Sequence, residues 1–137
     1  LIAYQDEKQP VGIRHYRVDR MAGITVLDAP RRGQEQFVDF DLPAYLKKHF
    51  SMYGGPEHSV TLRCTADLEP IMRERFGTEP IFLPEDEAHF HFTVPICVSD
   101  PFYGWVCGFG GKVEVTAPAE VKQGLRELAG QVAELHG

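Results

Sequence analysis

Hydrophobic positions in the second half of the chain fall at two clean periods. Val60, Leu62 and Cys64 alternate with Thr61 and Arg63, and Phe90, Phe92, Val94 and Ile96 alternate across 89–98. Period-two alternation marks a half-buried strand. Between these runs Leu68, Ile71, Met72 and Phe76 recur at helical spacing and predict a helix over 66–76. A short strand is predicted over 79–83. A helix follows over 100–108, with Ser99 or Asp100 as its cap and Pro101 in its first turn, where a missing N–H costs little. Gly110-Gly111 stops it, a strand is predicted over 112–116, and Val121, Leu125, Leu128, Val132 and Leu135 stripe a helix over 118–135. The order is β-α-β-β-α-β, then α, the split βαβ arrangement of a ferredoxin-like unit with an added helix.

The first part of the chain is patterned differently. Leu1 to Tyr4 reads as the end of a strand, and 5–12 as a polar turn punctuated by Pro10 and Gly12. Residues 13–20 read as a strand, with Arg14, Tyr16, Val18 and Arg20 on one face and His15, Arg17 and Asp19 on the other. Gly23 to Leu27 is β-rich, so 13–28 is expected to form an antiparallel pair or a bent strand. Arg31, Arg32 and Gly33 sit in a loop. A short helix is predicted over 40–50, with Asp41 as N-cap, Pro43 in the first turn, and Lys47, Lys48 and His49 against the negative end of the dipole. Met52 to Pro56 breaks the chain, giving expected domains at 1–53 and 54–137. The start at Leu1 without a methionine reads as a fragment or processed chain.

Charge changes this picture. The net charge is −6, yet residues 1–33 hold six Lys/Arg against four Asp/Glu, while 34–137 hold eight against sixteen. Such a chain is a poor binder of duplex nucleic acid, and any anion site belongs in the first third. Composition is that of a soluble globular protein, with no apolar run near the roughly 20 residues of a membrane helix. Cys64, Cys97 and Cys107 are odd in number, widely spaced and set among apolar neighbours, which suits reduced buried thiols and a cytoplasmic location.

The arginine-rich segment carries the chemistry. Guanidinium groups are planar, permanently charged forks matched to carboxylate or phosphate, and Tyr16 and His15 add stacking or hydrogen-bonding surface. The bland alternative is a solvated strand in which Asp19 pairs an arginine. His89 and His91 form an H-x-H pair, but no further ligand stands at fixed spacing, and a solvated outer face is favoured over a metal site. Gly108 to Gly111 follows a helix rather than preceding one, so it reads as a stop and not a phosphate loop. No nucleophile elbow or activated thiol is present, so catalysis is not expected, and no metal or cofactor is implied. The terminal stripe could form a dimer seam or pack on its own sheet; the second is favoured.

With these motifs in view, the chain resembles the C-terminal portion of bacterial WYL-domain helix-turn-helix transcriptional regulators with their WCX extension. Leu1-Ile2-Ala3-Tyr4 resembles the sequence at and after the Leu of the Trp-Tyr-Leu motif. Arg14 to Met21 resembles the family's arginine-rich strand, and Phe40 to Leu46 the helix that closes the WYL domain. Trp105 to Gly111, Val113-Glu114-Val115 and Pro118 resemble the WCX tail. The resemblance implies an α+β chain: a partial Sm-like/SH3-like barrel, since the Trp, Tyr, first barrel strands and helix-turn-helix are outside these residues, then the ferredoxin-like WCX unit. It implies an effector-sensing region, usually dimeric, that controls an upstream DNA-binding domain, with single-stranded DNA as ligand in some members. Arg14, Tyr16, Arg17 and Arg20 carry over, with His15 beside them; Arg63 on the second domain's first strand is a further candidate. A structural or dimerising module and a small-metabolite sensor are the competing expectations.

Overall fold

A computed structural model describes residues 1–137. Strands β1 (Ile2–Gln5) and β2 (Gly12–His15) pair antiparallel, with Ile2 opposite His15 and Gln5 opposite Gly12. Two 3-10 turns, Val18–Arg20 and Gln34–Phe37, precede helix α1 (Leu42–Lys48). Next come β3 (Glu57–Thr65), a 3-10 turn (Ala66–Leu68) running into α2 (Glu69–Phe76), β4 (Leu83–Pro84), β5 (His89–Cys97), α3 (Asp100–Cys107), β6 (Val113–Ala117) and α4 (Ala119–His136). The chain is thus mixed α and β, with two antiparallel sheets and four α-helices.

Contacts divide the chain into Leu1–Leu42 and Pro43–Gly137. In the second unit the sheet order is β4-β5-β3-β6. β3 is central, paired with β5 along its full length from Glu57↔Cys97 to Thr65↔His89, and with β6 from Thr61 to Cys64 through a bulge at Thr61/Leu62. The predicted alternation is realised: Val60, Leu62 and Cys64 are buried with Phe90, Phe92, Val94 and Ile96. On the opposite face the Thr61 and Thr93 hydroxyls hydrogen-bond at 2.8 Å.

Helices cover the apolar face. Met72 and Phe76 of α2, Phe102, Tyr103 and Val106 of α3, and Val121 of α4 are buried against it. Phe92 lies 4.7 Å from Phe82 and 5.4 Å from Phe76 between ring centroids, and Trp105 sits edge-on to Phe76 at 5.7 Å. Gly124 lets α4 approach α3, since a Cβ there would stand 2.3 Å from the Tyr103 hydroxyl. Segment 43–53, assigned by sequence to the first domain, lies with the second unit. Phe50 is buried beside Phe102 and Trp105, at 5.2 and 5.1 Å. Arg75 stacks over Phe50 at 4.4 Å and donates to the His49 carbonyl oxygen at 3.1 Å.

Three expected strands are shorter or missing. β2 stops at His15 rather than continuing to 20, because the chain turns at Val18–Arg20 around a local Arg17–Asp19 contact. Residues 23–27 form no strand. Gly23 adopts a left-handed φ of 62°, and Ile24, Val26 and Leu27 find no sheet edge to bury them, Val26 being 92% exposed. The strand expected at 79–83 is reduced to Leu83–Pro84, where Pro84 cannot donate to a ladder. The helix ends agree more closely: α2 stops at Gly77, whose φ is 82°.

Burial pushes the Cys64 thiol up to about 12 from an ordinary 9.0, and Cys97 is raised chiefly by burial, whereas Cys107 is exposed. A thiol held neutral in the folded state stabilises it fully below the unfolded value and loses that contribution as pH rises from 9 towards 12. Native protein is therefore expected to expose one fast-reacting thiol to Ellman's reagent and three after denaturation. Its melting temperature should fall above pH 9, less steeply in Cys64→Ala. In urea melts, Phe92→Ala should cost about 3–5 kcal/mol through the cavity it leaves, while Val26→Ala should change stability by less than about 0.5 kcal/mol.

Candidate anion-binding site

The first unit is held together almost without a core. Gly33 is its one buried residue, and every buried apolar side chain lies at Phe50 or beyond. Backbone pairing does the organising. Beyond the β1–β2 ladder, the Tyr16 N–H donates to the Leu1 carbonyl at 2.8 Å, and the Leu1 amine donates to the Tyr16 carbonyl at 3.0 Å. Tyr16 is thereby fixed at the end of the hairpin with its side chain 39% exposed.

This pairing brings part of the expected site together. Arg14, His15 and Tyr16 line an open cavity of about 490 Å³ whose other walls are Gln5, Glu7, Lys8 and Gln9 of the hairpin turn. Arg14 spends one Nη on the Pro10 carbonyl oxygen at 2.7 Å and engages no carboxylate. The acidic wall residue, Glu7, is taken by Arg32 at 2.7 Å. Lys8 and Arg14 are thus the uncompensated charges of this cavity, a set that can meet a phosphate or carboxylate while Tyr16 offers a ring face. Lys8 was not legible as a site residue. It is a turn residue by sequence, and only the antiparallel return of β2 brings it beside Arg14.

The remaining candidates lie elsewhere. Arg17 forks onto Asp19, with Nε 3.0 Å from Oδ1, and this hydrogen bond holds the Asp19 carboxyl below its usual range. The pairing matches the bland alternative for this residue. Arg20 ends the 3-10 turn, exposed and engaged by no carboxylate. Arg63 belongs to the second unit, on the outer face of β3, where it donates to Glu85 at 2.8 Å and lies 3.9 Å from Asp86. That face is acidic around it, with Glu114 as its register partner on β6. Glu114 in turn accepts from Lys122 at 3.0 Å, so the charges of this face are matched within it.

His89 and His91 share the outer face of β5, as expected from their spacing. His89 Nδ1 is 3.0 Å from Asp86, and His91 stands opposite Arg63. No group of three or more His, Cys, Asp or Glu side chains is placed to hold a metal ion. No helix is long and apolar enough to cross a membrane.

Comparison with protein families identifies the second unit's family. The model of the WCX domain matches residues 56–133, more than half of the chain and the span from the start of β3 into α4. No curated protein matches the chain.

Proposed function

The chain belongs to the WCX-domain family, and on that premise we propose that it is the effector-sensing region of a bacterial transcriptional regulator. In this reading it binds an anionic ligand, in the sharpest version single-stranded nucleic acid, at the β1–β2 hairpin. The observation that carries the reading is the cavity that Lys8, Arg14 and an exposed Tyr16 line together, in the only basic part of an acidic chain. A guanidinium and an ammonium supply charge for a backbone phosphate, and an aromatic face supplies stacking worth about 1–3 kcal/mol per base. Arg20, exposed at the end of the following 3-10 turn, is a further charge free of carboxylates, while Arg17 would have to exchange Asp19 for the ligand.

The order β4-β5-β3-β6, with every neighbour antiparallel, supports assigning the second unit a ferredoxin-like topology. The β1–β2 hairpin is then part of an Sm-like/SH3-like WYL barrel. A helix-turn-helix upstream would read DNA, the protein would act as a cytoplasmic homodimer, and it would catalyse nothing.

Fluorescence anisotropy of labelled single-stranded oligonucleotides at low salt tests the reading. The intact chain should bind, Arg14→Ala/Tyr16→Ala should weaken binding at least about tenfold, roughly 1.4 kcal/mol, and Arg63→Ala should leave it unchanged. No binding by the intact chain, or equal binding by the double variant, would remove the nucleic-acid version.

The dimerising role has its own support. The stripe of α4 is only half used: Val121 is buried and Leu125 and Leu128 are partly covered, but Val132 is exposed and Leu135 is 80% exposed. If that end is a seam, light scattering should give a dimer that Val132→Glu/Leu135→Glu converts to monomer. A concentration-independent monomer counts against it.

A further inference from the structure

A second cavity in the first unit is built on the β1 side of the hairpin, apart from Arg14, His15 and Tyr16. It encloses about 650 Å³, within the range of small-molecule sites. Its walls are of two kinds. Leu1, Ile2, Tyr4 and Phe37 contribute apolar and aromatic surface, and Arg31 and Arg32 contribute charge.

The packing that forms it is specific. Gly33 has a left-handed φ of 75°, and a Cβ at that position would stand 2.2 Å from the Tyr4 ring. Only glycine lets the 30–37 loop close onto Tyr4 in this way. The following 3-10 turn then places Phe37 in the wall, itself braced edge-on against Phe40 at 5.2 Å. Arg32 reaches back across the loop to Asp6 at 3.3 Å and Glu7 at 2.7 Å, so it fastens the loop and neutralises Asp6, the one acid in the wall. Arg31, its neighbour, makes no hydrogen bond or ion pair and is exposed. The cavity therefore pairs an apolar, partly aromatic lining with one uncompensated guanidinium.

We propose that this cavity is a binding site for a small organic anion with a flat apolar body, its carboxylate or phosphate held by Arg31 and its body lying among Ile2, Tyr4 and Phe37. A bare inorganic anion would forgo the apolar wall, and a neutral aromatic would forgo the guanidinium, so neither half suffices alone. The site shares no lining residue with the hairpin-turn cavity, and its ligand can differ from the one proposed there.

Isothermal titration calorimetry of the whole chain with 1-naphthyl phosphate, 1-naphthoate, 1-naphthol and inorganic phosphate tests this. The two aryl anions should bind saturably at one site, and their relative affinities distinguish phosphate from carboxylate as the preferred head. Naphthol and inorganic phosphate should each bind at least about tenfold more weakly. Arg31→Gln, which breaks no bond in the folded chain, should lose at least tenfold for the aryl anions with an unchanged melting temperature. Gly33→Ala should lose binding with Arg31 still in place, and Arg14→Gln should retain it. Absence of aryl-anion binding, equal affinity for inorganic phosphate, an unaffected Arg31→Gln, or a loss confined to Arg14→Gln would each overturn the assignment.

Discussion

Burial of one face of β3 is the constraint on which the second unit rests. Val60, Leu62 and Cys64 are inaccessible to solvent, and both neighbouring strands take their register from them. A slip of one residue would carry every apolar side chain to the wrong face, so the register is strongly specified. The helices follow from the same requirement, because the buried face needs Phe76, Phe102 and Trp105 over it. The opposite face then has to be polar, and there Arg63 is balanced by Glu85 and Asp86.

The first unit obeys a different rule. With no buried apolar side chain, it is ordered by backbone pairing, by the seat of Gly33 on Tyr4, and by exposed ion pairs that are individually weak. The ion pairs consume Arg17 and Arg32 and leave Arg14, Arg20 and Arg31 without carboxylates. Segments with few buried contacts sit at the low-stability end of a fold, where ligand-binding elements are commonly found. A ligand that meets these charges would supply part of the order that the unit does not generate for itself.

The second unit was legible because its core writes itself into the sequence at periods of two and 3.6. Met72 and Phe76, and Phe90 and Phe92, are found buried as their spacing implied. The first unit was less legible for the reverse reason. Nothing is buried on Ile24, Val26 or Leu27, so β propensity had no partner to act on. The arginine segment alternated well enough to pass for a strand, but Asp19 lies close enough to Arg17 for a local fork, and the chain turns there instead. Lys8 and Arg31 were missed as site residues because loops assemble them, and no periodicity links them to the strands they join. Phe50, ahead of the Gly54-Gly55-Pro56 break, joins the aromatic cluster of Phe102 and Trp105, a contact that no local periodicity announces.

The central claim is that anion recognition belongs to the β1–β2 hairpin and not to the sheet of the WCX unit. Mapping amide chemical-shift changes on the intact chain as a single-stranded oligonucleotide is added tests this most directly. Saturable shifts concentrated at Lys8, Arg14, His15 and Tyr16, with the outer face around Arg63 and His91 unmoved, are the predicted result. Shifts centred on Thr61, Arg63 and His91, with the hairpin silent, would contradict it.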